Sequence, residues 1–191
     1  MPSQKELLDV DWSQLPRPVD DGAARHLQGA RLPQVSLPAT DGTDVNAGAL
    51  AGRAVIFAYP MTGRPGVPVP DGWDAIPGAR GCTPQACAFR DLHAELLAAG
   101  ADHVIAVSTQ RPAEQQEAAA RLHLPFRLLS DAEGEFAAAL KLPVMHADGR
   151  MMLKRLALIA DDGVIVTCFY PVFPPDRNAA DVLDWLKANP R

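Results

Sequence analysis

The chain has 191 residues, a formal net charge of -5, 48% hydrophobic and 21% charged residues. That length suffices for one domain with a substantial core, and the acidic balance argues against nucleic acid and anionic membrane as partners. MPSQKELLDVDW at the N-terminus lacks an apolar core of signal-peptide length, and no stretch reaches the length of a membrane span. The expectation is a cytoplasmic protein. Stable disulfides are rare in that compartment, so its three cysteines are read as packing or as chemistry rather than as a framework.

Residues 1–30 read as a polar N-terminal arm with at most short helices. Leu32 to Leu37 alternates well enough for a strand, and Asp41-Gly42 carries a hairpin-turn signal. RAVIFAY (53–59) is a continuous apolar run of the kind found in buried central strands. The stretch 60–79 holds five prolines and four glycines, a density that neither helix nor ladder tolerates. It is expected to be a long surface loop, and such loops are often functional. Trp73 within it reads as a loop anchor.

Thr83 is read as a helix N-cap with Pro84 at the first helical position. Phe89, Leu92, Leu96 and Leu97 then recur at helical spacing up to a stop at Gly100. HVIAVS (103–108) is a second buried strand, Pro112 to Leu122 a helix, PFRLLSD (125–131) a short strand, and Glu133 to Leu140 a further helix. KRLALIA (154–160) and VIVTCFY (164–170) flank Asp-Asp-Gly as a hairpin. A last helix, Ala179 to Asn189, puts Val182, Leu183 and Leu186 on one face. Alternating strands and helices followed by a hairpin predict an α/β fold with a mixed central sheet and helices on both faces. The expected organisation is an arm over 1–30 and one domain over 31–191, with 60–80 as an inserted loop.

RGCTPQACAFRDL (80–92) holds two of the three cysteines. Cys82 falls at a helix start, where unpartnered N–H groups and the macrodipole favour an anion. The thiolate is the nucleophilic form, so position alone makes Cys82 a candidate. If both residues are helical, Cys82 and Cys87 have Cα atoms about 8.6 Å apart, beyond the reach of a disulfide. Either the pair never bonds, or the first turn unwinds to let it bond. The gap between them sits at the edge of finger-type metal spacings and no His-x₃-His follows, so no metal is expected. Cys168, in mid-strand, reads as packing. His93, His146, Glu95 and Glu117 read as solvated groups without a catalytic partner.

Gly81-Cys82-Thr83-Pro84-Gln85-Ala86-Cys87-Ala88-Phe89-Arg90-Asp91 resembles the active-site helix of Q-type peroxiredoxins, also called bacterioferritin comigratory proteins. Tyr59-Pro60, Leu124 to Asp131 and Arg155 to Gly163 extend the resemblance over about residues 30–188. It implies a thioredoxin-like fold and thiol-dependent reduction of hydrogen peroxide and organic hydroperoxides without metal, flavin or haem. It implies Cys82 as the peroxidatic cysteine, Cys87 as a resolving cysteine in the same chain, and a thioredoxin or glutaredoxin-like protein as reductant. Arg155 matches the family's active-site arginine, a fixed cation that favours the thiolate and hydrogen-bonds a peroxide oxygen. An intrachain pair needs no second subunit, so a monomer or a weak homodimer is expected.

Two positions depart from the pattern. The family's proline seven residues before the first cysteine is Ala75 here, and its threonine three residues before is Ala79. Pro60 and Thr62 are the expected substitutes, the hydroxyl of Thr62 orienting the peroxide, with Thr83 as rival. The departures also support an alternative, a catalytically weak thioredoxin-fold module used for redox sensing or interaction. A protein thiol–disulfide exchange enzyme is disfavoured by the lack of Cys-x-x-Cys.

Overall fold

The computed structural model describes residues 2–191. It opens with a five-residue helix, α1 (Gln4–Leu8). Ser3 caps it: its hydroxyl accepts from the Glu6 amide and the Glu6 carboxylate accepts from the Ser3 amide, so two otherwise unpartnered N–H groups satisfy each other's residues. A helix this short does not stand alone in water. It is docked on the domain, as described below.

A small hairpin follows, β1 (Ser36–Pro38) with β2 (Asp44–Asn46). Its strands are shorter than the sequence suggests. Leu32 lies outside the hairpin, and its amide donates to the Gly163 carbonyl in an isolated bridge between Arg31 and Val164. The central strand is β3 (Arg53–Ala58). After the loop come α2 (Cys82–Asp91), α3 (His93–Ala98), β4 (His103–Ser108), α4 (Pro112–Leu122), β5 (Arg127–Ser130) and α5 (Glu135–Leu140). A second small hairpin, β6 (Val144–Ala147) with β7 (Arg150–Leu153), precedes β8 (Leu156–Asp161), β9 (Val164–Phe169) and α6 (Asn178–Ala188).

The main sheet has the order β5-β4-β3-β8-β9. The β3–β4 and β4–β5 pairs are parallel, and β3–β8 and β8–β9 antiparallel. Side chains of β3 alternate between two cores. Ala54, Ile56 and Ala58 face the one completed by α5 and the β1–β2 hairpin, whereas Val55, Phe57 and Tyr59 face the one completed by α2, α3, α4 and α6. Burial on both faces explains why RAVIFAY is apolar without alternation. Phe57 stacks on Phe89 of α2 with centroids 4.0 Å apart, which fixes the active helix against the middle of the sheet. This is the mixed-sheet architecture expected from the element order, and the thioredoxin-like fold that the resemblance implies.

Three local expectations need correction. Thr83 is not the N-cap: α2 begins at Cys82, capped by Gly81 in the left-handed region at φ 104°. The helix to Gly100 is not continuous either. The Leu92 amide is shared between the Ala88 and Arg90 carbonyls, and the chain restarts as α3 at His93. Phe89 and Leu96, seven residues apart, are both fully buried. The β6–β7 hairpin was not expected at all, and His146 lies in β6 rather than in a turn. Its signal was present: Asp148 and Gly149 take φ of 51° and 66°, the two positive values of the tightest hairpin turn.

The 60–80 segment is an ordered cover rather than a free loop. Trp73, in a short 3-10 turn, is buried with Ala79 against Ala147 and Met152 of the second hairpin, and Met61, Val69 and Ile76 pack around them.

Candidate active site

Cys82 lies where the end of β3, the start of α2 and the start of β8 converge. Gly81 makes this possible in two ways. Its positive φ is one that L side chains rarely adopt, and a Cβ there would lie 2.7 Å from both Pro175 Cγ and Trp12 Cη2. The cysteine that follows is 3% exposed. Its Sγ accepts from Arg155 Nη2 at 3.1 Å and from the Met61 amide at 3.4 Å, and lies 3.6 Å from the Ala79 carbonyl. Pro60, buried at the end of β3, turns the chain so that the next residue presents that amide.

Arg155 immediately precedes β8 and is 3% exposed. Its Nη2 also donates to the carbonyls of Gly78, Ala79 and Arg80, at 3.3, 3.1 and 3.2 Å. Its Nη1 donates to Gln85 Oε1, and Gln85 Nε2 donates to Asn178 Oδ1 at 2.9 Å. Among the described residues no carboxylate lies within 4.0 Å of this guanidinium. A buried cation without a counter-ion is costly. Among the described residues, the one contact of this guanidinium able to carry a full negative charge is the sulfur of Cys82.

Cys87 shares α2 but not the site. Cys82 packs with Phe57, Tyr59 and Phe89, whereas Cys87 packs with Ala86, Leu122 and Leu124 beside α4. Both residues are helical, so their Cα atoms are about 8.6 Å apart by helix geometry. A bond between them therefore requires the first turn of α2 to open. Burial pushes the Cys87 thiol up from its usual range, with Arg90 acting against it. Cys168, half-buried on β9, is pushed up to about 12 by burial and packs in the opposite core.

The hydroxyl of Thr62, the expected substitute for the missing threonine, makes no hydrogen bond to the sulfur and is held by Gln110. Thr62 is buried, and its hydroxyl and amide both donate to Gln110 Oε1 at 2.9 Å. The backbone amide of Met61 is the group from this segment that donates to the sulfur. Thr83 sits in the first turn of α2 and lines the cavity above Cys82. Below, the hydroxyl of Tyr59 is buried near Ser108 and Gln115 without a hydrogen bond of good geometry to either, and burial holds the phenol above its usual range. His93 lies half-buried against Phe126, its imidazole lowered by that burial, and has no contact with the sulfur.

Cys82 and Arg155, 73 residues apart in sequence, are thus brought to one point. The groups that sequence reasoning missed are Met61 N, Gln85 and Asn178. Gln85 lies inside the quoted cysteine motif, a visible signal. Asn178 opens α6 and is 1% exposed, which only the packed structure reveals. Above the sulfur is a cavity of about 330 Å³, walled in part by Leu7, Met61, Gly63, Val69 and Trp73.

The family model described as Redoxin matches residues 27–183. Similar curated proteins include peroxiredoxin Q, chloroplastic, of Gentiana triflora, 28% identical over 86% of this chain and 69% of that protein. The peroxiredoxin Q, chloroplastic, of Oryza sativa subsp. japonica is 29% identical over 84% of this chain and 67% of that protein. Among solved structures, peroxidoxin BcpB from Mycobacterium tuberculosis superposes with a TM-score of 0.68 at 27% identity, covering 86% of this chain and 98% of that one. Peroxiredoxin Q of Xanthomonas campestris, at 22% identity and a TM-score of 0.63, shares the fold.

Proposed function

The chain belongs to the redoxin family and is a thiol-dependent peroxidase of the peroxiredoxin kind, and we propose that it works through Cys82 with Arg155 as its fixed cation. The observation that carries this reading is the buried guanidinium whose only potentially anionic partner among the described residues is a cysteine sulfur 3.1 Å away.

In the proposed reaction the Cys82 thiolate attacks one oxygen of a hydroperoxide along the O–O axis. The S–O bond forms as the O–O bond breaks. The departing oxygen takes up a proton and leaves as water or an alcohol, and the sulfur, oxidised by two electrons, becomes a sulfenic acid. Arg155 and the Met61 amide favour the anionic sulfur and are placed to donate to the peroxide oxygens as charge moves onto them. Pro60 acts through the backbone, by delivering that amide.

The Cys87 thiol then displaces the sulfenic hydroxyl, forming an intrachain disulfide and water. Terminal helical turns open at small cost, and the separation of the two sulfurs on α2 makes that opening part of the cycle. A reduced dithiol protein of thioredoxin or glutaredoxin type restores both thiols by exchange. The cycle closes within one chain, so the expected assembly is a monomer or a weak homodimer.

The test is a pair of substitutions. Cys82→Ser abolishes peroxide consumption. Cys87→Ser keeps one reaction with peroxide and loses turnover with thioredoxin. Equal turnover by wild type and Cys82→Ser defeats the reading. The capture of the Thr62 hydroxyl by Gln110 favours one second reading, a slow redox sensor. Under that reading peroxide reacts sluggishly while strong oxidants still close the disulfide.

A further inference from the structure

The cavity over Cys82 is far larger than hydrogen peroxide needs. It is a solvent-open pocket of about 330 Å³, whereas a water molecule occupies about 30 Å³ of liquid and an apolar cavity of about 150 Å³ accepts benzene. Its floor is the start of α2, and its walls come from two segments: Pro2, Glu6 and Leu7 of the arm, and Met61, Val69 and Trp73 of the 60–80 cover. The arm residues precede residue 27, where the Redoxin match begins.

The arm is fastened at several points. The Gly66 amide donates to the Pro2 carbonyl at 3.0 Å. Arg121 Nη1 donates to Gln4 Oε1 and Arg80 Nη2 to the Glu6 carbonyl, both at 2.9 Å. Trp12 Nε1 donates to Asp176 at 3.0 Å. Leu7 is seated so closely on Gly63 that a Cβ there would lie 2.7 Å from Leu7 Cδ2.

The two charged side chains on the lining, Glu6 and Arg80, both have partners within the protein. The Glu6 carboxylate accepts from the amide and hydroxyl of Ser3, and Arg80 pairs with Asp74 at 2.9 Å. Leu7, Met61, Val69 and Trp73 offer a ligand apolar contact on one side of the cavity, close to a sulfur that would attack an oxygen.

Resting on the reading of Cys82 as the reacting sulfur, we propose that the N-terminal arm is part of the substrate site. Leu7 of the arm and Val69 of the cover, backed by the buried Trp73, are specificity-determining residues. They select hydroperoxides that carry an uncharged apolar substituent of about phenyl size over hydrogen peroxide. The substituent buries its surface against these walls while its peroxide oxygens meet Cys82, Met61 N and Arg155, so the contact raises the rate at limiting substrate.

The experiment measures single-turnover rate constants of the reduced full-length protein with cumene hydroperoxide and with hydrogen peroxide, and compares their ratio among variants. Leu7→Ser removes an apolar wall and lowers the ratio by about tenfold, the scale at which pockets sense lost apolar contact. Val69→Phe fills volume that a bulky substituent needs and also lowers it. Val69 is half-buried on a loop, so this second variant empties no core and keeps the test readable if Leu7→Ser folds poorly. A ratio within about twofold of wild type in the folded variants overturns the proposal. An equal loss for both peroxides also overturns it, because the arm then only supports α2. If the wild-type protein consumes neither peroxide, the assignment of Cys82 itself falls, which distinguishes that failure from this one.

Discussion

Replacing Arg155 by methionine removes the guanidinium while keeping a flexible side chain of comparable length in the same slot. At 3.1 Å, two unit charges interact by about 5 kcal/mol at an effective dielectric constant of about 20. Part of that is recovered when neighbouring dipoles and entering water solvate the sulfur, and charge-assisted hydrogen bonds net about 1.5–3 kcal/mol. The expected fall in the rate with hydrogen peroxide is therefore about 10- to 150-fold, at about 1.4 kcal/mol per decade. Arg155→Lys separates charge from geometry. An ammonium keeps the cation but cannot hold Gln85, three carbonyls and the sulfur in one fork, so it restores only part of the rate. Stopped-flow mixing of reduced protein with peroxide measures both, alongside circular dichroism to establish folding. A folded Arg155→Met protein that reacts within about twofold of wild type would refute the electrostatic argument.

Gly81→Ala combines a strained positive φ with contacts of 2.7 Å to Pro175 and Trp12. It should cost about 1–3 kcal/mol in urea unfolding, and adding Trp12→Ala should return part of that loss in a double-mutant cycle. Asp131, 1% exposed, accepts from the amides of Phe136 and Ala137 at the start of α5. Asp131→Ala leaves both donors buried and unpaired and should cost about 2–4 kcal/mol by the same assay. Cys168 titrates at about 12 in the fold because of burial, against an ordinary thiol value of about 8.5 when unfolded. A folded value raised in this way gives stability that is complete below the unfolded value and lost as pH rises through the window above it. Thermal melts at pH 8 and pH 10 should therefore show a smaller drop for Cys168→Ala than for wild type; an equal drop would remove Cys168 as a cause.

The parts of the fold legible in the sequence are those whose causes are local. Apolar runs such as 53–59 and 103–108 announce strands buried on both faces, and the Asp-Asp-Gly turn announces β8–β9. Cys82 was legible because a helix start carries a readable signal, whereas Arg155 was reached only through the family resemblance. What escaped depends on distant partners. Thr62 is adjacent in sequence to the residue that touches the sulfur, yet its hydroxyl is taken by Gln110, 48 positions away. Asn178 counts only because Gln85 reaches it across 93 positions. The arm reads as a polar tail until Gly63 is seen to lack the side chain that would push Leu7 out. The β6–β7 hairpin was a different kind of miss, since Asp148-Gly149 stood in plain view between residues that alternate too weakly in burial to stand out.

One measurement bears most directly on the chemistry: peptide mapping of the fully reduced protein after a single equivalent of hydrogen peroxide. The expected product is lighter by two hydrogens, with the peptides of Cys82 and Cys87 joined by a disulfide and Cys168 still a free thiol. Recovery of Cys82 and Cys87 as unmodified thiols after that treatment would contradict the account.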